Sequence, residues 1–177
     1  MLNEAIRFAV DQHYGTYREG PDPLPYICHP MEVLANLREV AGETDQDSLC
    51  AAVLHDVIEE GNTDQSDLSK RFGDRVAGLV QALTREEPAP AALEGLSRED
   101  VWQLRADMLL AEIAKMKPEV QKIKLADRLS NIRGAYRTKK GKKLERYVWQ
   151  TKRILKVVPR PVCPPLWDAI TNEMKSR

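Results

Sequence analysis

Cysteine is scarce in this chain. Three residues, Cys28, Cys50 and Cys163, are spread over 177 positions with no CxxC pair among them. That pattern excludes a disulfide framework and a zinc ribbon, and it suits a reducing compartment. Long apolar runs are missing too: none approaches the ~18 residues a membrane span requires. The N-terminal MLNEAIRFAVDQH interrupts its apolar positions with charges, where a secretory leader would carry an unbroken apolar core. A cytoplasmic protein, neither secreted nor membrane-inserted, is the expectation. Alternating strand-type patterns, internal repeats and low-complexity tracts are absent, apart from a short Pro/Ala stretch within 86–95. Acidic residues are rare in one region: 115–160 holds 16 Lys/Arg against only Glu119, Asp127 and Glu145, although the whole chain balances at 27 of each sign. This asymmetry points to an anionic partner for the C-terminal part, or to a plain solvated face. No aromatic-rich platform or DNA-binding motif accompanies the basic stretch, so a phosphate-rich small molecule is favoured over nucleic acid.

What is present is helical periodicity. Ile6, Ala9, Val10 and His13 share one face of a first segment, and Met31, Leu34, Ala35 and Leu37 mark a second that begins at Pro30. Further helices are expected at about 45–60, 64–72, 74–84, 97–116, 118–136, 142–158 and 164–176, with boundaries good to ~2–4 residues. Ser97 and Asp100 form a capping-box signature, and REGPDPLP, GNTD and EEPAPAALEG supply the breaks. The fold class is all-α, a single compact helical bundle over 1–177, and the length is enough to bury a core without cross-links.

Against this background LCAAVLHDVIEEGNTD is unusual, because four ionisable side chains, His55, Asp56, Glu59 and Glu60, follow an apolar run directly. Buried charges need a partner or a metal. In a continuous helix over 45–60 these four side chains crowd one end and one side. PYICHP sets His29 before Pro30, which disfavours helical geometry at His29 and places it at a helix entrance. KIKLADRLSNIR sets Asp127 among the core-facing Ile123, Leu125, Ala126, Leu129 and Ile132. His29, His55, Asp56 and Asp127 together offer two imidazoles and two carboxylates, a set suited to a divalent manganese, iron or zinc ion. The lack of a thiolate favours a catalytic over a structural site. His13 reads as a hydrogen-bonded core histidine, Cys28 as a packing residue, and Trp102, Trp149 and Trp167 as core or interface anchors.

PYICHP, AAVLHDVIEE, FGDRVAGLVQALT and KIKLADRLSNIR, in this order, resemble the HD superfamily of metal-dependent phosphohydrolases. Within it they are most similar to the hydrolase domains of the Rel/SpoT family and to small alarmone hydrolases, over about residues 3–135, with helices in 138–177 packing on that core. The resemblance implies an HD-domain helical bundle holding one Mn²⁺ through His29, His55, Asp56 and Asp127. It also implies hydrolysis of the 3′-pyrophosphate of (p)ppGpp to GDP or GTP. The alternative is an HD phosphohydrolase acting on NADPH, a nucleoside monophosphate or a cyclic nucleotide. Glu59 and Glu60 stand where the family has a Glu-Asp pair, which implies water activation and proton transfer, with one extra methylene at Glu60. Arg18 matches an arginine that packs on guanine, Asn131 an asparagine that contacts the nucleoside, and Lys143 and Tyr147 a phosphate-binding base and an aromatic. Glu19 and Ser130 depart from the family pattern, which leaves base and phosphate selectivity open. The chain has no room for the synthetase domain of long Rel/SpoT proteins, so degradation without synthesis is the expectation.

Overall fold

A computed structural model describes residues 1–21 and 23–176. The helices run α1 (Leu2–Gln12), α2 (Cys28–Ala35), α3 (Gln46–Leu54), α4 (Val57–Glu60), α5 (Gln65–Phe72), α6 (Asp74–Leu83), α7 (Pro90–Leu93), α8 (Arg98–Lys115), α9 (Pro118–Thr138), α10 (Gly141–Val157) and α11 (Pro164–Lys175). A π-helical turn (Asn36–Val40) continues α2, and a 3-10 turn (Arg160–Val162) precedes α11. Among the described residues no strand forms, and the one β-type contact is an isolated bridge between Tyr17 and Pro25. None of these helices is long and apolar enough to cross a membrane.

The axis of the bundle is α9, against which α2, α3, α6, α10 and α11 pack. Its Ile123, Leu125, Ala126, Leu129 and Ile132 are wholly buried, as the spacing predicts. The same helix also buries Gln121, Asp127, Arg128 and Ser130, and buried polar groups of this kind must find partners. Gln121 donates to the Ile113 carbonyl at 2.9 Å, and Asn36 donates to the Ala126 carbonyl at 3.2 Å, tying the π-helical turn to the axis. The capping box at α8 forms as expected, with the Asp100 N–H donating to Ser97 Oγ and the Ser97 N–H donating to Asp100. Trp102 meets Trp149 at 5.3 Å between ring centroids, joining α8 to α10. Trp167 donates to the Leu155 carbonyl and fastens α11.

Four local expectations need correction. The helix over 45–60 is two helices, α3 and α4, broken at His55 and Asp56, where Asp56 has φ −103° and ψ −2°. The second helix begins at Cys28, so His29 is helical. Pro30 is tolerated because it lies in the first turn, whose N–H groups have no intrahelical acceptor in any case. The 86–95 break contains the one-turn α7. In α1 the buried face is carried by Ala5 and Ala9, while Val10 is exposed.

Candidate metal centre and nucleotide cavity

The break between α3 and α4 places His55 and Asp56 at a helix junction facing α2 and α9. His55 Nδ1 lies 2.9 Å from the Ala52 carbonyl. A carbonyl only accepts, so Nδ1 carries the hydrogen and the Nε2 lone pair is left free. Ser130 fixes His29 by the same logic. Its hydroxyl donates to Glu32 Oε2 at 2.9 Å and therefore accepts from His29 Nδ1–H, also at 2.9 Å. Both Nε2 atoms thus present lone pairs to carboxylates. His55 Nε2 is 3.1 Å from Asp56 Oδ1 and 3.8 Å from Asp127 Oδ1. His29 Nε2 is 3.5 Å from Asp56 Oδ2 and 3.3 Å from Asp127 Oδ1.

Lone pairs facing carboxylate oxygens repel unless a cation lies between them. His29, His55 and Asp127, all buried, offer ligand atoms within 4.8 Å of one another, and His55 Nε2 is buried with no hydrogen-bond partner among the described residues. A divalent ion fits this donor set in chemistry and in size. Without one, a proton serves: burial alone would lower the His55 pKa, but the Asp56 and Asp127 carboxylates outweigh it and raise it. Burial would likewise raise Asp56 and Asp127. The His55 charge beside Asp56 and the Lys124 charge beside Asp127 overcome it and hold both carboxyls below the usual range.

The cluster lies in the wall of a cavity of about 550 Å³. Of the side chains expected from sequence, His29, Asp56, Asp127, Glu59, Glu60, Arg18, Asn131 and Tyr147 all line it. His55 reaches the cluster from behind. Lys143 does not line the main cavity but lies in a smaller adjoining one, which Tyr147 also lines. Glu59 Oε1 accepts the Arg85 N–H at 2.6 Å, which orients the carboxylate. The surrounding protein raises its pKa, with the Asp56 charge adding to the effect. Arg18 donates to Asn131 Oδ1 at 3.2 Å, and Asn131 donates in turn to Asp127. The Tyr17–Pro25 bridge and the Arg18 N–H on the Leu24 carbonyl fix the backbone at Arg18, whose side chain reaches Asn131 on α9. Gly134 leaves room for it, since a Cβ there would lie 3.2 Å from Arg18 Nη2 and the guanidinium would have to give by a few tenths of an ångström.

Other residues of the site lie in the same motifs but were given no role by the sequence reading. Lys124, one helical turn before Asp127, pairs with Asp127 Oδ2 at 3.1 Å. Its i,i+3 spacing was a usable cue. Arg128 is 4% exposed, donates to Gln150 at 3.0 Å and lies 5.0 Å from the Tyr147 ring centre, with Nε and Nη1 unpartnered. Tyr26 of PYICHP donates its hydroxyl to Asp56 Oδ2 at 2.8 Å, and burial and that carboxylate raise its pKa. His13 is buried as expected but is not hydrogen-bonded. It packs on Tyr26 at 4.9 Å, both ring nitrogens lack partners, and burial lowers its pKa.

The two departures from the family pattern are placed by these contacts. Ser130 is fully buried behind His29, so it faces no base. The Glu19 side chain is 80% exposed and pairs with Lys139 at 3.0 Å. It therefore neutralises a cation at the cavity rim. Because Ser130 holds the His29 tautomer, Ser130→Ala is expected to weaken divalent-metal affinity ~10–100-fold with the fold intact. Calorimetric metal titration beside a thermal melt checks this, and unchanged affinity would release Ser130 from that role.

The profile of the HD domain family matches residues 5–155. The chain belongs to the HD domain family. Among its HD relatives, the guanosine-3′,5′-bis(diphosphate) 3′-pyrophosphohydrolase MESH1 of Xenopus tropicalis is 32% identical over 133 residues, covering 75% of this chain and 68% of the relative. The human protein of the same name is 34% identical over 132 residues, with the same coverage. The bifunctional (p)ppGpp synthase/hydrolase SpoT of Escherichia coli K12 is 34% identical over 149 residues, 82% of this chain and 20% of SpoT, so the HD chain spans about a fifth of that relative. A solved structure described as a metazoan ortholog of SpoT that hydrolyses ppGpp superposes with a TM-score of 0.84 at 27% identity, covering 99% of this chain and 94% of that one. The all-α HD fold expected from the motifs is the fold observed.

Proposed function

We propose that this chain hydrolyses the 3′-pyrophosphate of (p)ppGpp, releasing pyrophosphate and GDP or GTP. The observation that carries the reading is the convergence of His29, His55, Asp56 and Asp127 at the wall of a cavity that Lys124, Arg128 and Arg18 also line. The named activity of the MESH1 and SpoT relatives supports the same substrate. The four residues would hold one divalent ion, taken as Mn²⁺ because the resemblance to Rel/SpoT-type hydrolases implies it, while the imidazole and carboxylate donors themselves suit manganese, iron or zinc. When bound, such an ion polarises a phosphoryl oxygen and acidifies a water.

The remaining steps belong to the side chains. Glu59, oriented by the Arg85 N–H, takes the proton of the attacking water as oxygen adds to the 3′-phosphorus. Glu60, beside it, handles the proton delivered to the departing ribose 3′-oxygen. Lys124 and Arg128, one turn apart on α9, set positive charge against the phosphates. Arg18, held by its bond to Asn131, stacks on guanine, and Asn131 holds the nucleoside while keeping Asp127 in place. Tyr147 and Lys143 take the end of the nucleotide farther from the metal.

Incubating the Mn²⁺-loaded chain with ppGpp, pppGpp, NADPH, nucleoside monophosphates and cyclic nucleotides tests this, with products separated chromatographically. The expected result is GDP and pyrophosphate from ppGpp. Turnover of another nucleotide with ppGpp untouched would replace the substrate and leave the HD phosphohydrolase chemistry standing. In the same assay Arg18→Ala is expected to raise KM for ppGpp ~10-fold, the scale of one lost base-stacking contact, with kcat and metal content unchanged. Glu19→Lys removes the carboxylate that neutralises Lys139, so it should lower KM, most strongly at low salt. An unchanged KM in both variants would take the 18–24 loop out of the substrate site.

A further inference from the structure

Arg85 follows the end of α6 directly, where Thr84 turns the chain into extended geometry at φ −64° and ψ 125°. Its N–H holds Glu59, and its side chain lines the main cavity beside Glu59, Glu60 and Lys124. The guanidinium is close enough for its charge to be felt at Glu59 and at Glu112 of α8. Its partner is Glu87, which is shared: Oε1 accepts from Arg85, and Oε2 accepts from Arg105 Nε at 2.9 Å. The Arg85 and Glu87 side chains are 40% and 48% exposed, and a pair open to water to that extent contributes little to stability. Arg105 keeps Glu87 compensated when Arg85 turns away. Arg85 is therefore a cation on the Glu59 side of the cavity that can exchange its partner easily.

We infer that Arg85 binds the terminal phosphate of the 3′-pyrophosphate arm, leaving Glu87 to Arg105 when that phosphate enters. This rests on the function proposed above. With the reacting phosphorus held beside Glu59 and the metal ligands, the second phosphate of the arm is one P–O–P link away and needs a cation of its own. Lys124 is paired with Asp127 at 3.1 Å, and Arg128 is held against Gln150 and the Tyr147 ring of α10. Arg85 is the cavity-lining cation on the same backbone that orients Glu59, and its planar fork suits two phosphate oxygens at once. The released pyrophosphate carries the same terminal phosphate, so Arg85 also governs how tightly that product is retained. Glu87 is the competitor for the guanidinium.

Inorganic pyrophosphate probes this contact without the nucleoside and without turnover. Calorimetry on the Mn²⁺-loaded chain at fixed free Mn²⁺ is expected to show pyrophosphate binding ~10-fold weaker in Arg85→Gln, the scale of a charge-assisted hydrogen bond, with GDP affinity unchanged. The backbone N–H that holds Glu59 survives this substitution, and the exposed position keeps the melting temperature near that of wild type. Glu87→Gln, which weakens the competitor, should tighten pyrophosphate ~2–3-fold, the scale of one exposed ion pair. That gain should vanish in the double variant. Wild-type pyrophosphate affinity in Arg85→Gln, an equal loss for GDP, or a Glu87→Gln gain that persists without Arg85 would overturn the assignment. Failure of the wild type to turn over ppGpp, with pyrophosphate binding still dependent on Arg85, would instead overturn the functional reading.

Discussion

His55→Ala and Asp127→Asn are each expected to abolish hydrolysis and to lose the bound divalent ion in the same step. The physical reason is that each removes a donor from a site where the others repel one another without a cation. The two differ in their effect on stability. Asp127→Asn leaves Lys124 without the carboxylate 3.1 Å away, and breaking a buried pair costs about 3–5 kcal/mol. A clear fall in Tm is therefore expected for Asp127→Asn, and a smaller one for His55→Ala. Metal uptake by wild type should also release protons. The Asp56 and Asp127 carboxylates outweigh burial and raise the His55 pKa, and a proton on His55 must leave for Nε2 to bind. Metal affinity should accordingly fall as pH drops through that raised pKa. Elemental analysis, melting curves and calorimetry in two buffers of different ionisation enthalpy check these points. Retention of metal in both variants would remove His55 and Asp127 from the ligand set.

Glu59→Gln and Glu60→Gln form the second large effect, with the opposite signature. Each should keep its metal and lose kcat by ~10²-fold or more, the usual scale for general acid–base catalysis. Glu59 also predicts a pH dependence. Its pKa is raised, first by the surrounding protein and then by Asp56, so the carboxylate needed to take a proton forms only above the ordinary glutamate range. Activity should therefore climb as pH rises through that raised value, and this acidic limb should vanish in Glu59→Gln. The sign for stability follows from the same shift. A carboxyl that holds its proton more tightly when folded favours the native state at low pH and loses that contribution as pH rises through the folded pKa. Glu59→Gln keeps an oxygen for the Arg85 N–H and no longer ionises, so its Tm at neutral pH should equal or exceed that of wild type. Near-wild-type kcat in both variants would exclude the pair from proton transfer.

Residue type and local spacing alone made much of the fold legible. The 3.6 period marks most of the helices, the capping box at Ser97 marks the start of α8, and PYICHP, LHDVIEE and LADRLSN name the histidines and carboxylates that converge. These signals are local: each depends on neighbours within a turn or two, and an imidazole or carboxylate on a core-facing position is anomalous in any packing. The break at His55 and Asp56 was not legible, because the apolar run before it and the acidic pair after it both allow a helix. Neither was the helical placement of His29, since the preference imposed by Pro30 is weak enough for the packing of α2 on α9 to override.

The tertiary structure alone decided the contacts between residues distant in the chain. Ser130 setting the His29 tautomer spans 101 positions, and Arg18 on Asn131 spans 113. Lys139 on Glu19 spans 120 and holds at the cavity rim a carboxylate that sequence left ambiguous. The sequence by itself offered His29, His55, Asp56 and Asp127 as candidate ligands, because donor chemistry is a property of the groups, and the family resemblance marked Glu59 and Glu60 for proton transfer. Which nitrogen is left free to bind, which cations line the cavity beside the candidate ligands, and that Lys143 lines a smaller adjoining one all depend on how α2, α8, α9 and α10 meet, and packing sets those distances.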